Sequence, residues 1–125
     1  AALSQTADVL LRERMDAVIA TNTTVSRASV EKYANSVQAG GLSGGPLRER
    51  STRVVKVLAD ALGGELPVIA TGGILSGEDA VEKLDAGASM VQLFSGLIYR
   101  GPGLISECVE AIRAAQRPAS RNQER

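Results

Sequence analysis

Two short apolar runs, each ending in small residues, restrict what this chain can fold into more than any other feature. They are LPVIATGGI, Leu66 to Ile74, and ASMVQLFSG, Ala88 to Gly96. Apolar runs of this length with β-branched residues suit strands buried on both faces, as in a parallel sheet. Between them, LSGEDAVEKLDAG reads as one helix, and Ser76 with Asp79 makes a capping-box-like start. Strand, helix and strand in the stretch 66–96 form a βαβ unit, whose crossover is expected to be right-handed.

Gly72 and Gly73 bring no side chain to any chemistry. What they offer is backbone N–H groups, and Ser95 and Gly96 offer the same after the next strand. Amides at strand ends suit a phosphate. In a (β/α)8 barrel the loops after strands 7 and 8 often hold one. The stretch therefore reads as two adjacent barrel strands gripping a phosphorylated ligand. Tight turns alone would also account for the glycines.

The rest of the chain is consistent with that frame. Residues 2–14 read as a helix, with Leu3, Ala7, Leu10, Leu11 and Arg14 on one face. Ala17 to Ala20 reads as a buried strand, and it runs into Thr21, Asn22, Thr23 and Thr24. In a parallel α/β protein that end is the ligand face. Amide and hydroxyl groups together suit a planar ligand with carbonyl and N–H edges; a capped turn is the other reading. Residues 25–51 show no period, and AGGLSGGPL, Ala39 to Leu47, holds its glycines too densely for a simple hairpin turn. Close packing against a flat ligand explains it, as does plain flexibility. Arg48, Glu49 and Arg50 read as solvated. A helix over 52–62, with Val54, Val55, Leu58, Ala61 and Leu62 inward, ends at Gly63-Gly64. A last helix, from about 104 to 115, carries the stripe Leu104, Ile105, Cys108, Val109 and Ile112. The strands fall at about 16–21, 67–71 and 90–94.

Composition removes several function classes. The 14 basic and 14 acidic residues cancel, and the only aromatics are Tyr33, Phe94 and Tyr99, so nothing points to nucleic acid. The absence of histidine removes Ser-His-Asp and Cys-His catalysis and the usual zinc sites from these residues. Chemistry must come from elsewhere or from a cofactor. Cys108 is the sole cysteine, so no internal disulfide forms. No apolar run is long enough to span a bilayer, and no signal peptide is visible.

Three parallel strands cannot close a barrel, and an open sheet leaves two edges that natural proteins avoid. The expected fold is therefore α/β, the C-terminal portion of a (β/α)8 barrel. Residues 1–115 form that part, and 116–125 a polar tail. The chain opens on a helix with no strand before it, which fits a missing N-terminal portion of the same barrel.

DAVIATNTT, GGLSGGPL and the run from Arg50 to Leu104 together resemble the C-terminal third of dihydroorotate dehydrogenase, and of its quinone-dependent class. The blocks GGLSG-x-PL…ST and VQLFSGLIYRGP carry the class resemblance, which extends over about residues 7–112. The resemblance implies a TIM barrel with FMN that oxidises dihydroorotate to orotate in pyrimidine biosynthesis and passes electrons to quinone. It implies that Thr21, Gly44, Gly73, Phe94 and Ser95 contact FMN, with Gly73, Phe94 and Ser95 at its phosphate. Asn22 and Thr23 would hydrogen-bond the orotate ring. Phe94 stands where many relatives carry tyrosine. The same resemblance places the catalytic serine base, a flavin-contacting lysine and a membrane-associating quinone entrance before residue 1. These residues would then not catalyse alone, and peripheral membrane association would come with the missing part. Two other readings remain: a phosphate-binding barrel enzyme without flavin, and a non-catalytic half-barrel that assembles with a partner chain.

Overall fold

The computed structural model describes residues 2–117. Helix α1 spans Ala2–Arg12 and strand β1 Val18–Ala20; α2 spans Arg48–Leu62 and β2 Val68–Thr71. Then come α3 (Gly77–Asp85), β3 (Met90–Gln92), α4 (Ser95–Arg100) and α5 (Gly103–Gln116). The three strands are all parallel, in the order β1-β2-β3. This is the expected α/β architecture of part of a (β/α)8 barrel.

The register sorts the sheet into two faces, because neighbouring side chains on a strand point opposite ways. Ala20, Ala70 and Val91 lie in one row, and Ile19, Ile69 and Met90 in the row before it. On the first face Ala20, Val68 and Ala70 are buried together with Ala7 of α1 and Val55, Leu58 and Leu62 of α2. A second cluster joins Ile74, Ala80, Leu104 and Cys108 where α3 packs on α5. On the opposite face Ile19 and Met90 are each 60% exposed. The expectation of strands covered on both faces is thus met on one face only among the described residues, the face on which α1 and α2 pack.

Helix ends follow local chemistry. Gly63 closes α2 in the left-handed region at φ 57°, where its N–H reaches the Ala59 carbonyl. Ser76 caps α3 by accepting from the Asp79 N–H at 3.2 Å. The Asp79 carboxylate returns the bond by accepting from the Leu75 N–H at 2.9 Å.

Several expectations need correction. Arg14 is not part of α1, which stops at Arg12, and sits at φ 54° beyond it. Residues 25–51 are not irregular throughout: 3₁₀ turns form at Ala34–Val37 and Gly45–Leu47, and α2 starts at Arg48. Its buried face includes Ser51 rather than Ala61. The six residues of α4 form a further helix in a stretch to which the sequence pattern assigns no element. On α5, Leu104 and Cys108 are buried while Ile105 and Val109 face solvent. An apolar pattern on one helix does not say how wide a strip its neighbour covers. The boundary proposed at 115/116 falls in the last turn of α5, and residues 118–125 of the tail lie outside the described residues.

Candidate functional site

The C-terminal ends of the three strands meet in one pocket of ≈ 260 Å³. Thr21, Asn22 and Thr23 follow β1, Gly72 and Gly73 follow β2, and Phe94 and Ser95 follow β3. Gly44, from the long connection after β1, closes the group. Every site residue expected from the sequence therefore lines the same cavity.

Each wall has its own local cause. The Thr21 N–H donates to the Thr71 carbonyl at 2.9 Å, which extends the β1–β2 ladder by one step. Thr21 Oγ1 is buried and has no hydrogen-bond partner among the described residues. An orphaned buried hydroxyl beside a cavity is a place where a polar ligand edge gains a bond at no further desolvation cost. The Asn22 side-chain oxygen accepts from the Thr23 N–H at 2.7 Å, so its carboxamide NH2 is the donor it has left.

The glycine-rich connection is tied down rather than free. Thr24 and Leu42 exchange two backbone hydrogen bonds, at 3.1 and 2.7 Å. The Arg27 guanidinium donates to the carbonyls of Thr24, Ser36, Gln38 and Gly40 at 2.6–3.2 Å, gathering the loop around one cation. A Cβ on Gly41 would overlap the Thr23 side chain, so the glycine lets this loop settle on the polar end of β1. Further on, Ser43 Oγ and Ser95 Oγ lie 2.9 Å apart and join the loop to the turn after β3.

Gly73 is buried at φ 77°, pressed against the backbone of Arg48. Ser95 and Gly96 open α4, which has no side-chain cap, so their N–H groups find no acceptor within that helix. The Phe94 ring is 71% exposed at the pocket edge. Among the described residues no charged side chain lines the cavity.

Charge sits behind the wall instead. Lys83 of α3 is fully buried, and its ammonium donates to Ser51 Oγ at 2.6 Å, Thr52 Oγ1 at 2.5 Å and the Arg48 carbonyl at 2.9 Å. Ser51 Oγ donates to the Gly72 carbonyl at 2.7 Å. Burial pushes the Lys83 pKa down to about 8; Glu82 and Asp79 pull it back up, and Arg48 adds to the lowering. Arg48, expected to be merely solvated, pairs with Asp79 at 2.9 Å and Glu82 at 2.6 Å. Those partners, the Glu82 hydrogen bond first, strengthen its hold on its proton.

The profile of a known family, described as dihydroorotate dehydrogenase, matches residues 1–115. The chain belongs to the dihydroorotate dehydrogenase family. It is 60% identical over 112 residues to a "Dihydroorotate dehydrogenase (quinone)" of Thiobacillus denitrificans, covering 90% of this chain and 33% of that protein. A protein of the same description from Pseudomonas fluorescens is 60% identical over 111 residues, 89% of this chain and 33% of its own length. Two crystal structures of the Eimeria tenella enzyme, one with ferulenol and one ligand-free, superpose with TM-scores of 0.82 and 0.84. They are 36% and 35% identical, and the match covers 91% and 90% of this chain but 31% of each. The chain thus spans about a third of the length of the curated relatives it matches. Every residue of the pocket falls inside the dihydroorotate dehydrogenase match.

Sequence reasoning passed over Ser43, Ser51 and Lys83. Serines in a glycine-rich loop and a lysine in an amphipathic helix carry no periodic signal of their own. The one available hint was Ser51, four residues before Val55 on the inward face of α2. No helix among the described residues is long and apolar enough to cross a membrane.

Taken together, the donor set fits a planar ligand with polar edges and an anionic tail. The orphaned Thr21 hydroxyl, the Asn22 carboxamide and the Thr23 hydroxyl lie at one strand end. Gly72 and Gly73 lie at the second strand end, and Ser95 and Gly96, which open α4, lie at the third.

Proposed function

We propose that this chain is the C-terminal part of a flavin-dependent dihydroorotate dehydrogenase, and that its pocket holds FMN beside dihydroorotate. The observation that carries the reading is the convergence of Thr21–Thr23, Gly44, Gly73, Phe94 and Ser95 on one cavity at the C-terminal ends of parallel strands. That rim is where barrel enzymes keep their sites. Gly73, Phe94 and Ser95 take the phosphate through backbone N–H groups, which is why no side chain is needed there. Thr21 and Gly44 lie against the flavin. Asn22 and Thr23 hydrogen-bond the carbonyl and N–H edges of the pyrimidine acid.

FMN bound in this pocket would supply the two-electron acceptor for dihydroorotate oxidation and the link to a quinone. The chain's own contribution is to bind and orient. The amide-and-hydroxyl patch fixes the substrate ring, and the glycine ends fix the cofactor tail, so that ring and flavin are held at one separation. In this reading the proton-abstracting base is the serine that the family resemblance places before residue 1. The quinone as electron acceptor rests on the description of the relatives. Peripheral membrane association belongs to the same reading, and residues 1–115 act with an N-terminal portion of the barrel.

The test is a graft. Residues 1–115 replace the matching third of a relative that is 60% identical. The purified graft is expected to be yellow, and anaerobic dihydroorotate is expected to bleach it. A folded, colourless graft would overturn the reading.

A further inference from the structure

Among the described residues, the pocket that the proposed function gives to a phosphate is lined by no cationic side chain. An anion bound only by amides still favours a positive charge nearby, and a buried charge is screened little by salt. Two cationic side chains, Arg48 and Lys83, lie behind the glycine turn. Arg48 touches Gly73 through its backbone, but its guanidinium is paired with Asp79 and Glu82. Lys83 is different. Its three N–H groups go to neutral oxygens, those of Ser51, Thr52 and Arg48. Its charge is not cancelled by direct contact.

We propose that Lys83 is the buried counter-charge and positioning residue of the phosphate loop, acting on the Gly72–Gly73 peptide through Ser51. The link is short. Lys83 donates to Ser51 Oγ at 2.6 Å, and Ser51 Oγ donates to the Gly72 carbonyl at 2.7 Å, the nearer of the two carbonyls its hydroxyl reaches, that of Arg48 being at 3.0 Å. The Gly72 carbonyl and the Gly73 N–H belong to one planar, trans peptide unit and point in opposite directions. Fastening the carbonyl to Ser51, behind the wall, aims the N–H the other way, toward the cavity that Gly73 lines. Consecutive hydrogen bonds polarise one another, so the ammonium also sharpens the Gly73 N–H as a donor. Packing alone would have been served by a leucine at this position, which needs no oxygens around it. A lysine with three satisfied donors behind a glycine turn has a use when an anion sits in front of it.

This inference rests on the phosphate part of the proposed function, and the experiment separates the two. The grafted enzyme is freed of flavin and titrated with FMN and with riboflavin, which lacks the phosphate. Wild type is expected to prefer FMN strongly. Lys83→Met is expected to loosen FMN at least tenfold and leave riboflavin within twofold. Ser51→Ala removes the link with a smaller change, so it carries the test if Lys83→Met does not fold; it is expected to loosen FMN at least threefold with riboflavin again unchanged. A role in folding alone would weaken both flavins together. Equal loss for the two flavins, or none, in whichever variant folds overturns the inference. Wild type that fails to prefer FMN overturns the phosphate reading and this inference with it.

Discussion

Gly73 lies so close to Arg48 that a Cβ would overlap the N and Cα of that residue. The start of α2 is thereby seated on the turn after β2. The glycine is required twice, by its φ of 77° and by this contact, before any ligand is considered.

That double requirement gives a contrast in stability. Gly63, also left-handed at φ 57°, has open space where its Cβ would go. Gly63→Ala is expected to cost about 1 kcal/mol, the conformational term alone. Gly73→Ala adds overpacking against backbone and is expected to cost about 2 kcal/mol more. Urea unfolding of the two grafts measures this, and equal midpoints would show that Arg48 yields without penalty.

Asn22→Ala tests the substrate patch. Losing a buried hydrogen bond to the pyrimidine acid is expected to cost about 1–3 kcal/mol, read as a roughly 5- to 150-fold fall in kcat/KM. Flavin content is expected to stay unchanged. Steady-state kinetics beside flavin absorbance decides it; a variant that loses flavin but keeps its turnover per flavin would place Asn22 on the cofactor instead.

The buried ammonium makes stability depend on pH with a definite sign. In the folded chain Lys83 titrates at about 8, against the ordinary 10.5 that it regains on unfolding. Between those values the unfolded state binds more protons, so stability rises with pH there. The cost of burying the charge is fully present below about pH 8 and disappears by about pH 10.5, up to about 3 kcal/mol in all. Arg48, Asp79 and Glu82 are the charged groups that face it. Cys108, its thiol pKa raised by burial, works in the opposite sense, but it is common to both proteins compared. Subtracting Lys83→Met from wild type in denaturant melts from pH 7 to 10.5 isolates the lysine, and a flat difference would contradict its depressed pKa.

The uncovered sheet face predicts how the isolated 125-residue chain behaves. Ile19 and Met90 stand exposed in one register row with Ile69. The isolated chain is expected to bind an apolar dye and to sediment above monomer mass, because contiguous apolar surface associates. Ile19→Lys with Met90→Lys is expected to relieve both effects. Concentration-independent, cooperative unfolding of a dye-free monomer would show that the sheet is content with one covered face.

Strands and helices were legible where period and composition agreed. β2 and α3 follow directly from LPVIATGGI and from the Ser76–Asp79 cap. The site was legible at its strand ends, because Thr-Asn-Thr and Gly-Gly break an apolar run abruptly. What escaped was held together by single long-range bonds. Arg27 gathers a loop by four carbonyls, Ser43 meets Ser95 across 52 positions, and Lys83 reaches Ser51 across 32. None of these leaves a periodic trace. The helix α4 escaped for another reason: six residues bounded by Phe94 and Gly101 are too few for a helical period to show.

If FMN and the pyrimidine acid share the pocket at the three strand ends, orotate perturbs the flavin. Titrating orotate into the FMN-loaded graft, while following the visible absorption of the flavin, tests this directly. A saturable shift of the flavin band, weakened by Asn22→Ala at unchanged flavin content, is the predicted result. Bound flavin whose spectrum does not respond to orotate, or a graft that takes up no flavin, would contradict it.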